Sequence, residues 1–177
     1  MLYYKHYLKR NVGIKMIEIQ KMTGTKEENY ALALKQVQAM IAGEPNLIAN
    51  LSNVSSILNQ ALSDINWVGF YLLEKETNQL VLGPFQGLPA CIRIPLGKGV
   101  CGSAASDQKT YIVENVHDFP GHIACDAASN SEIVLPIVKN NQLLGVLDID
   151  SPLFNRFDEV DQLWLEKIRD AITQEIN

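Results

Sequence analysis

The stretch Ser131-Glu132-Ile133-Val134-Leu135-Pro136-Ile137-Val138-Lys139-Asn140-Asn141-Gln142-Leu143-Leu144-Gly145-Val146-Leu147-Asp148-Ile149-Asp150 decides how the chain folds. Two runs rich in β-branched residues flank an Asn-Asn pair, the pattern of two strands joined by a tight hairpin and therefore antiparallel. A second such unit lies upstream, where Trp67–Leu73 and Gln79–Leu82 flank the polar turn Glu74-Lys75-Glu76-Thr77-Asn78. Parallel strands would need long crossovers, which neither pair has room for. A further strand is expected at Cys91–Ile94 and another at Tyr111–Val113, making about six in all.

Helical periodicity bounds this strand-rich region on both sides. Thr25-Lys26-Glu27-Glu28 has the form of a capping box, in which the Thr and Glu side chains satisfy each other's backbone donors. Tyr30, Ala33, Leu34, Val37, Met40 and Ile41 follow at helical spacing until Gly43 and Pro45 stop the run. After Pro45 the stripe Leu47, Leu51, Val54, Ile57, Leu58, Ala61 and Leu62 predicts a second helix, so 26–63 form a helical pair. Gly97–Gly102 leads into a short small-residue helix through Ala105. Asn115–Asn130 reads as a long loop. Asp158 caps a final helix, with Val160, Leu163, Trp164, Lys167 and Ile168 as its stripe. The expected order is ααβββαβ(loop)ββα, an α+β domain with the terminal helices sharing one sheet face.

A chain of 177 residues that is 47% apolar can close one hydrophobic core, and one domain is expected. Residues 1–20 read as a flexible N-terminal extension to a domain spanning 21–177. A formal net charge of -5 supplies no basic field, which argues against a nucleic-acid partner. The apolar runs fall well short of the roughly 20 residues of a membrane-spanning helix, and the N-terminus lacks the apolar stretch and cleavage site of a signal peptide. A cytoplasmic location is expected. There, three cysteines read as free or redox-active thiols and not as a structural disulfide frame.

Any one cysteine is more often a small buried hydrophobe than a reactive group. Cys101, in Gly99-Val100-Cys101-Gly102, stands at an expected helix start, where unpaired amides and the helix dipole favour a thiolate. Cys125, in Pro120-Gly121-His122-Ile123-Ala124-Cys125-Asp126, sits on a loop with His122 as a candidate orienting group. Cys91 opens a strand and is as easily packed as reactive. A zinc site built from the cysteines and His122 lacks the short Cys-x2-4-Cys spacing common in structural sites. Glu132, Asp148 and Asp150 are costly on an apolar hairpin unless paired or used. Asp148 and Asp150 share a face by alternation. If Lys139 pairs with Gln142 and the register is unbroken, Glu132 falls on the opposite face; a bulge, which Pro136 favours, reverses this. Trp67 and Tyr71 share a face of the first strand, as core or as an aromatic wall for a thioether-like group.

These residues lie in motifs that resemble the free methionine-R-sulfoxide reductases, single-domain GAF proteins, over Leu47–Ile168. The motifs are Asn66–Tyr71, Leu82–Gly87, Gly97–Ala105, Pro120–Asp126, Ser131–Ile137 and Gly145–Asp150. The resemblance implies a GAF domain over 21–177, with helices on one sheet face and a ligand pocket on the other. It also implies reduction of free methionine R-sulfoxide. Cys91, Cys101 and Cys125 fall on the family's cysteines. Glu132, Asp148 and Asp150 are implied to engage the sulfoxide or ammonium group, and Trp67 and Tyr71 to wall the methyl-thioether end. The resemblance favours Cys125 as nucleophile, whereas the helix-start argument favours Cys101; Cys91 and Cys101 are then the candidate resolving thiols. A sulfenic acid and an intramolecular disulfide would follow, recycled by thioredoxin or a similar dithiol, with no metal and no other cofactor. Pairing of terminal helices would permit a homodimer. The rival expectations are a small-molecule-binding GAF regulator and a thiol redox switch without turnover.

Overall fold

The computed structural model describes residues 22–121 and 127–176; Cys125, His122 and the expected N-terminal extension lie outside them. The elements are α1 (Lys26–Ile41), α2 (Leu47–Ala61), β1 (Trp67–Glu74), β2 (Gln79–Gly87), β3 (Arg93–Pro95), α3 (Gly99–Asp107), β4 (Tyr111–Val113), β5 (Ser131–Lys139), β6 (Gln142–Ser151) and α4 (Glu159–Glu175). The strands form one sheet in the order β3-β2-β1-β6-β5-β4, every neighbouring pair antiparallel. Both tight hairpins therefore sit as the alternation requires, and β1 and β6 meet at the centre. None of the described helices is long and apolar enough to cross a membrane.

Local chemistry sets the helix ends. The Glu28 amide donates to Thr25 Oγ1 at 3.3 Å and the Thr25 amide to Glu28 Oε2 at 2.8 Å, the reciprocal box read from the sequence. Asn46 caps α2 by accepting from the Ala49 amide at 3.0 Å. Leu51, Val54, Ile57 and Leu58 of α2 then pack with Val68, Phe70, Ile133, Leu135, Leu147 and Ile149 of the sheet and with α1 and α4 in the larger core.

The stripe expected on α4 is displaced. Leu163 is 53% exposed, and the buried positions are Asp161, Leu165, Ile168, Ala171 and Ile172. The reason is the buried Asp161 carboxylate, which a hydropathy pattern assigns to solvent. It accepts from Tyr30 Oη at 2.6 Å, from Lys26 Nζ at 2.6 Å, from Arg156 at 3.2 Å and from the Asp158 amide at 2.8 Å. These bonds tie α1 to the start of α4 and turn Asp161 inward, carrying Leu163 outward with it. The third strand also begins later than expected, at Arg93, with Cys91 in the segment before it.

Two bulges set which side chains share a face. Between β1 and β2 the partners run Gly69 with Phe85 and then Tyr71 with Leu82, so Gly83 and Pro84 together oppose Phe70. Between β5 and β6, Lys139 pairs with Gln142 and Val138 with Leu143, but Ile137 pairs with Gly145. Leu144 is the extra residue. From there to the strand ends the pairing is shifted by one, and Glu132 lies opposite Asp150.

Gly145 follows the second bulge at the point where β6 crosses β1. A Cβ there would collide with the Tyr71 carbonyl oxygen and lie 3.0 Å from Leu72 Cα, both backbone atoms with little room to yield. Gly145→Ala is expected to destabilise the fold by about 1–3 kcal/mol or more. A lowered urea midpoint at unchanged m-value checks it.

Candidate active site

The sheet face opposite α1, α2 and α4 carries the site. β1 and β6 are paired Trp67 with Asp150 and Gly69 with Asp148, and β5 and β6 are paired Glu132 with Asp150 and Val134 with Asp148. Direct partners in an antiparallel pair project to the same side, so Trp67, Tyr71, Glu132, Asp148 and Asp150 all stand on one face. The bulge at Leu144 produces this convergence; an unbroken register would have turned Glu132 into the helix-covered core. α3 covers part of the same face, with Val100, Cys101, Ala104 and Ala105 packed among Trp67, Tyr71, Val134 and Val146.

Trp67 stands between two rings, stacked on Tyr71 with centroids 5.8 Å apart and on Phe85 at 5.4 Å. Its indole Nε1–H donates to the Leu88 carbonyl at 3.1 Å, which fixes the ring plane against the loop after β2. Phe85 was missed as a wall residue by sequence reasoning. Its only signal is its place in Leu82–Gly87, because the β2 bulge decides that it faces Trp67.

Cys101 is the third residue of α3 and carries a free thiol, 4% exposed. Its S–H donates to Glu132 Oε1 at 3.8 Å, and donor atoms of Cys101, Glu132 and Asp148 all lie within 4.8 Å of one another. Glu132 and Asp148 are 5% and 6% exposed. Among the described residues, Asp148 Oδ1 has no hydrogen-bond partner. Asp150, on the same face, is half-buried.

Crowding three such groups away from water dictates their protonation. Burial first, then the Asp148 and Glu132 charges, pushes the Cys101 thiol well above its ordinary value. The amides at the start of α3 would favour a thiolate, but desolvation and two carboxylates outweigh them. The acidic thiol expected at this helix start is thus a neutral one. Glu132 is raised well above the carboxylate range by burial and by Asp148 and Asp150. Asp148 is raised by burial to about 6, opposed by hydrogen bonds from Cys101 and Glu132. Near neutral pH the pair therefore retains a proton, with Glu132 the more strongly raised of the two. Tyr71 stays a neutral phenol, its ionisation resisted by burial and by Asp148.

Cys91 packs at the border of the core that holds Trp67, Tyr71 and Cys101. It is half-buried in the segment between β2 and β3 and is disulfide-bonded, flanked by the exposed side chains of Leu88 and Ile92. His117, the other histidine of the long loop, meets Asn130 Oδ1 through Nε2 at 2.9 Å and packs edge-on against Phe154, a surface role.

The buried acids carry a stability cost whose sign follows from their shifts. A carboxylate raised on folding contributes stability that is full below its ordinary range and is lost as pH rises through the folded value. For Asp148 that loss runs from its ordinary value of 3.8 up to about 6, and for Glu132 it extends higher. Asp148→Asn is expected to raise Tm by several degrees at pH 8, with the gain vanishing near pH 4. Scanning calorimetry at the two pH values checks it.

The six-stranded antiparallel sheet, with three helices behind it and a short helix over the polar face, is a GAF domain; the family model described as GAF domain matches residues 50–177. The free methionine-R-sulfoxide reductase of Escherichia coli K12 is 55% identical over 143 residues, 81% of this chain and 86% of that protein. The structure of fRMsr of Staphylococcus aureus in complex with substrate matches with a TM-score of 0.80 at 52% identity, over 89% of this chain and 100% of that one. Free methionine-R-sulfoxide reductase from Neisseria meningitidis in complex with its substrate matches with a TM-score of 0.87 at 39% identity, over 90% and 95%. This chain belongs to the free methionine-R-sulfoxide reductase family.

Proposed function

We propose that the protein reduces free methionine R-sulfoxide to methionine by thiol chemistry and is recycled by a thioredoxin-type dithiol. The observation that carries this reading is the buried pair Glu132 and Asp148, whose burial favours a shared proton, on a face walled by Trp67 and Tyr71. A sulfoxide needs those parts. Its methyl-thioether end fits against aromatic rings, its oxygen needs a proton donor to depart, and the ammonium of a free amino acid is attracted to Asp148 and Asp150.

The Cys125 thiolate attacks the sulfoxide sulfur, the S–O bond breaks, and Glu132 supplies a proton to the oxygen. The protonated oxygen passes from the substrate sulfur to Cys125 Sγ as the newly formed S–S bond breaks; methionine leaves with the sulfur electron pair, and Cys125, oxidised by two electrons as the sulfoxide is reduced, is left as a sulfenic acid. A resolving thiol then displaces water and forms a disulfide, and an external dithiol reduces it by exchange. Cys91, already in a disulfide and bordered by exposed Leu88 and Ile92, supports assignment as the resolving thiol that a protein reductant reaches. The raised pKa of Cys101 argues against it as the attacking thiolate.

The test couples NADPH consumption through thioredoxin and its reductase to free methionine R-sulfoxide, with the S epimer and a peptide-bound sulfoxide as comparisons. Turnover of the free R epimer alone is the expected result. Absence of turnover by fully reduced protein overturns the reading and leaves a ligand-binding GAF regulator.

A further inference from the structure

We propose that Cys101 Sγ, Glu132 and Asp148 form a binding site for one zinc-class divalent cation, with a fourth coordination position left for water or a ligand. The donor set is one thiolate and two carboxylates, drawn from α3, β5 and β6. A tetrahedral zinc ion with sulfur at about 2.3 Å and oxygen at about 2.0–2.2 Å needs donors roughly 3.5 Å apart. The Cys101–Glu132 edge is 3.8 Å and all three donor atoms lie within 4.8 Å, so side-chain movements of under about 1 Å close the site.

Two further features point to a cation. Asp148 is buried and its Oδ1 has no hydrogen-bond partner among the described residues, while the carboxylate lies in the cluster with the Cys101 thiol. A buried carboxylate oxygen without a donor is free to accept a cation. The groups also carry excess negative charge when ionised. Fully deprotonated, the three total three negative charges, with Asp150 adding a fourth on the same sheet face. A dication bound among them offsets that repulsion. The thiolate selects a borderline-soft ion over magnesium or calcium, which prefer oxygen alone. Half-buried Asp150, opposite Glu132 in register, is the part of the acidic set that solvent reaches, and so marks a way in.

The ion would engage two side chains that the proposed reaction also uses, so metal and sulfoxide should exclude one another; that consequence rests on the proposed function, but the binding itself does not. The experiment uses protein with the Cys91 disulfide intact and Cys101 reduced, titrated with Cd2+ and followed by the cadmium–thiolate charge-transfer absorption in the ultraviolet. One equivalent should saturate the signal, and Zn2+ should displace it. Glu132→Gln and Asp148→Asn, which keep the neutral shape of each side chain, should each weaken Cd2+ binding at least tenfold while leaving the far-ultraviolet circular dichroism unchanged. Calorimetric titration with Zn2+ gives the same comparison without a thiolate signal. The proposal is overturned by the absence of the thiolate band, by a band that persists in Cys101→Ser, or by unweakened affinity in both carboxylate variants. No readout depends on turnover, so a failed reductase assay and a failed metal titration are separate results.

Discussion

Cys125→Ser protein, mixed with free methionine R-sulfoxide in the absence of any reductant, is expected to release no methionine. Loss of an attacking group removes the step that breaks the S–O bond, and a fall of at least about a thousandfold is the scale of such losses. Cys91→Ser and Cys101→Ser should each still release about one equivalent in this single turnover, because neither removes the attacking thiol. The contrast is sharpest for Cys101. A helix start makes it the natural nucleophile on paper, yet its thiol is buried against Glu132 and Asp148 and is pushed to the neutral form. A thiol is a weak nucleophile beside its thiolate. Methionine release retained in Cys125→Ser and lost in Cys101→Ser would reverse the assignment and show that substrate binding drives the Cys101 proton away.

Glu132→Gln is expected to lower the rate of methionine release by about 10²–10⁴-fold, the range for loss of a positioned general acid. The pH dependence separates this from a simple binding defect. Glu132 acts while protonated, so the wild-type rate should fall as pH rises through its raised pKa. Gln cannot titrate, and the alkaline limb should disappear from the residual rate. Asp148 sits lower, at about 6, and should stay largely ionised where Glu132 still holds its proton. A single-turnover profile across pH checks both points. If Asp148→Asn erased the alkaline limb and Glu132→Gln left it intact, the shared proton would belong to Asp148.

Most of the secondary structure was legible from local pattern. The capping box at Thr25, the stop at Gly43 and Pro45, and the two hairpins around Glu74–Asn78 and Asn140-Asn141 depend on neighbours in the chain, and all appear where the pattern places them. The phase of α4 was not legible, because Asp161 is buried only when Lys26, Tyr30 and Arg156 reach it from distant parts of the chain. β2 extends to Gly87 for a similar reason. Its second half pairs with β1 only through a bulge at Gly83 and Pro84.

The cysteines and acids named from the sequence include every member of the cluster found, since residue type and motif are properties of the chain. What the chain alone determined is which groups are available: three cysteines, three acids on a hairpin, and two aromatics on one strand face. Whether the acids meet was decided by one residue of register, the extra Leu144, which turns Glu132 toward Asp148 and Asp150. Whether the Cys101 thiol is acidic was decided by what packs against it. Helix-end amides are a local property, but burial and opposing carboxylates arrive only when α3 closes over the sheet, and in a water-poor site those act more strongly than the dipole.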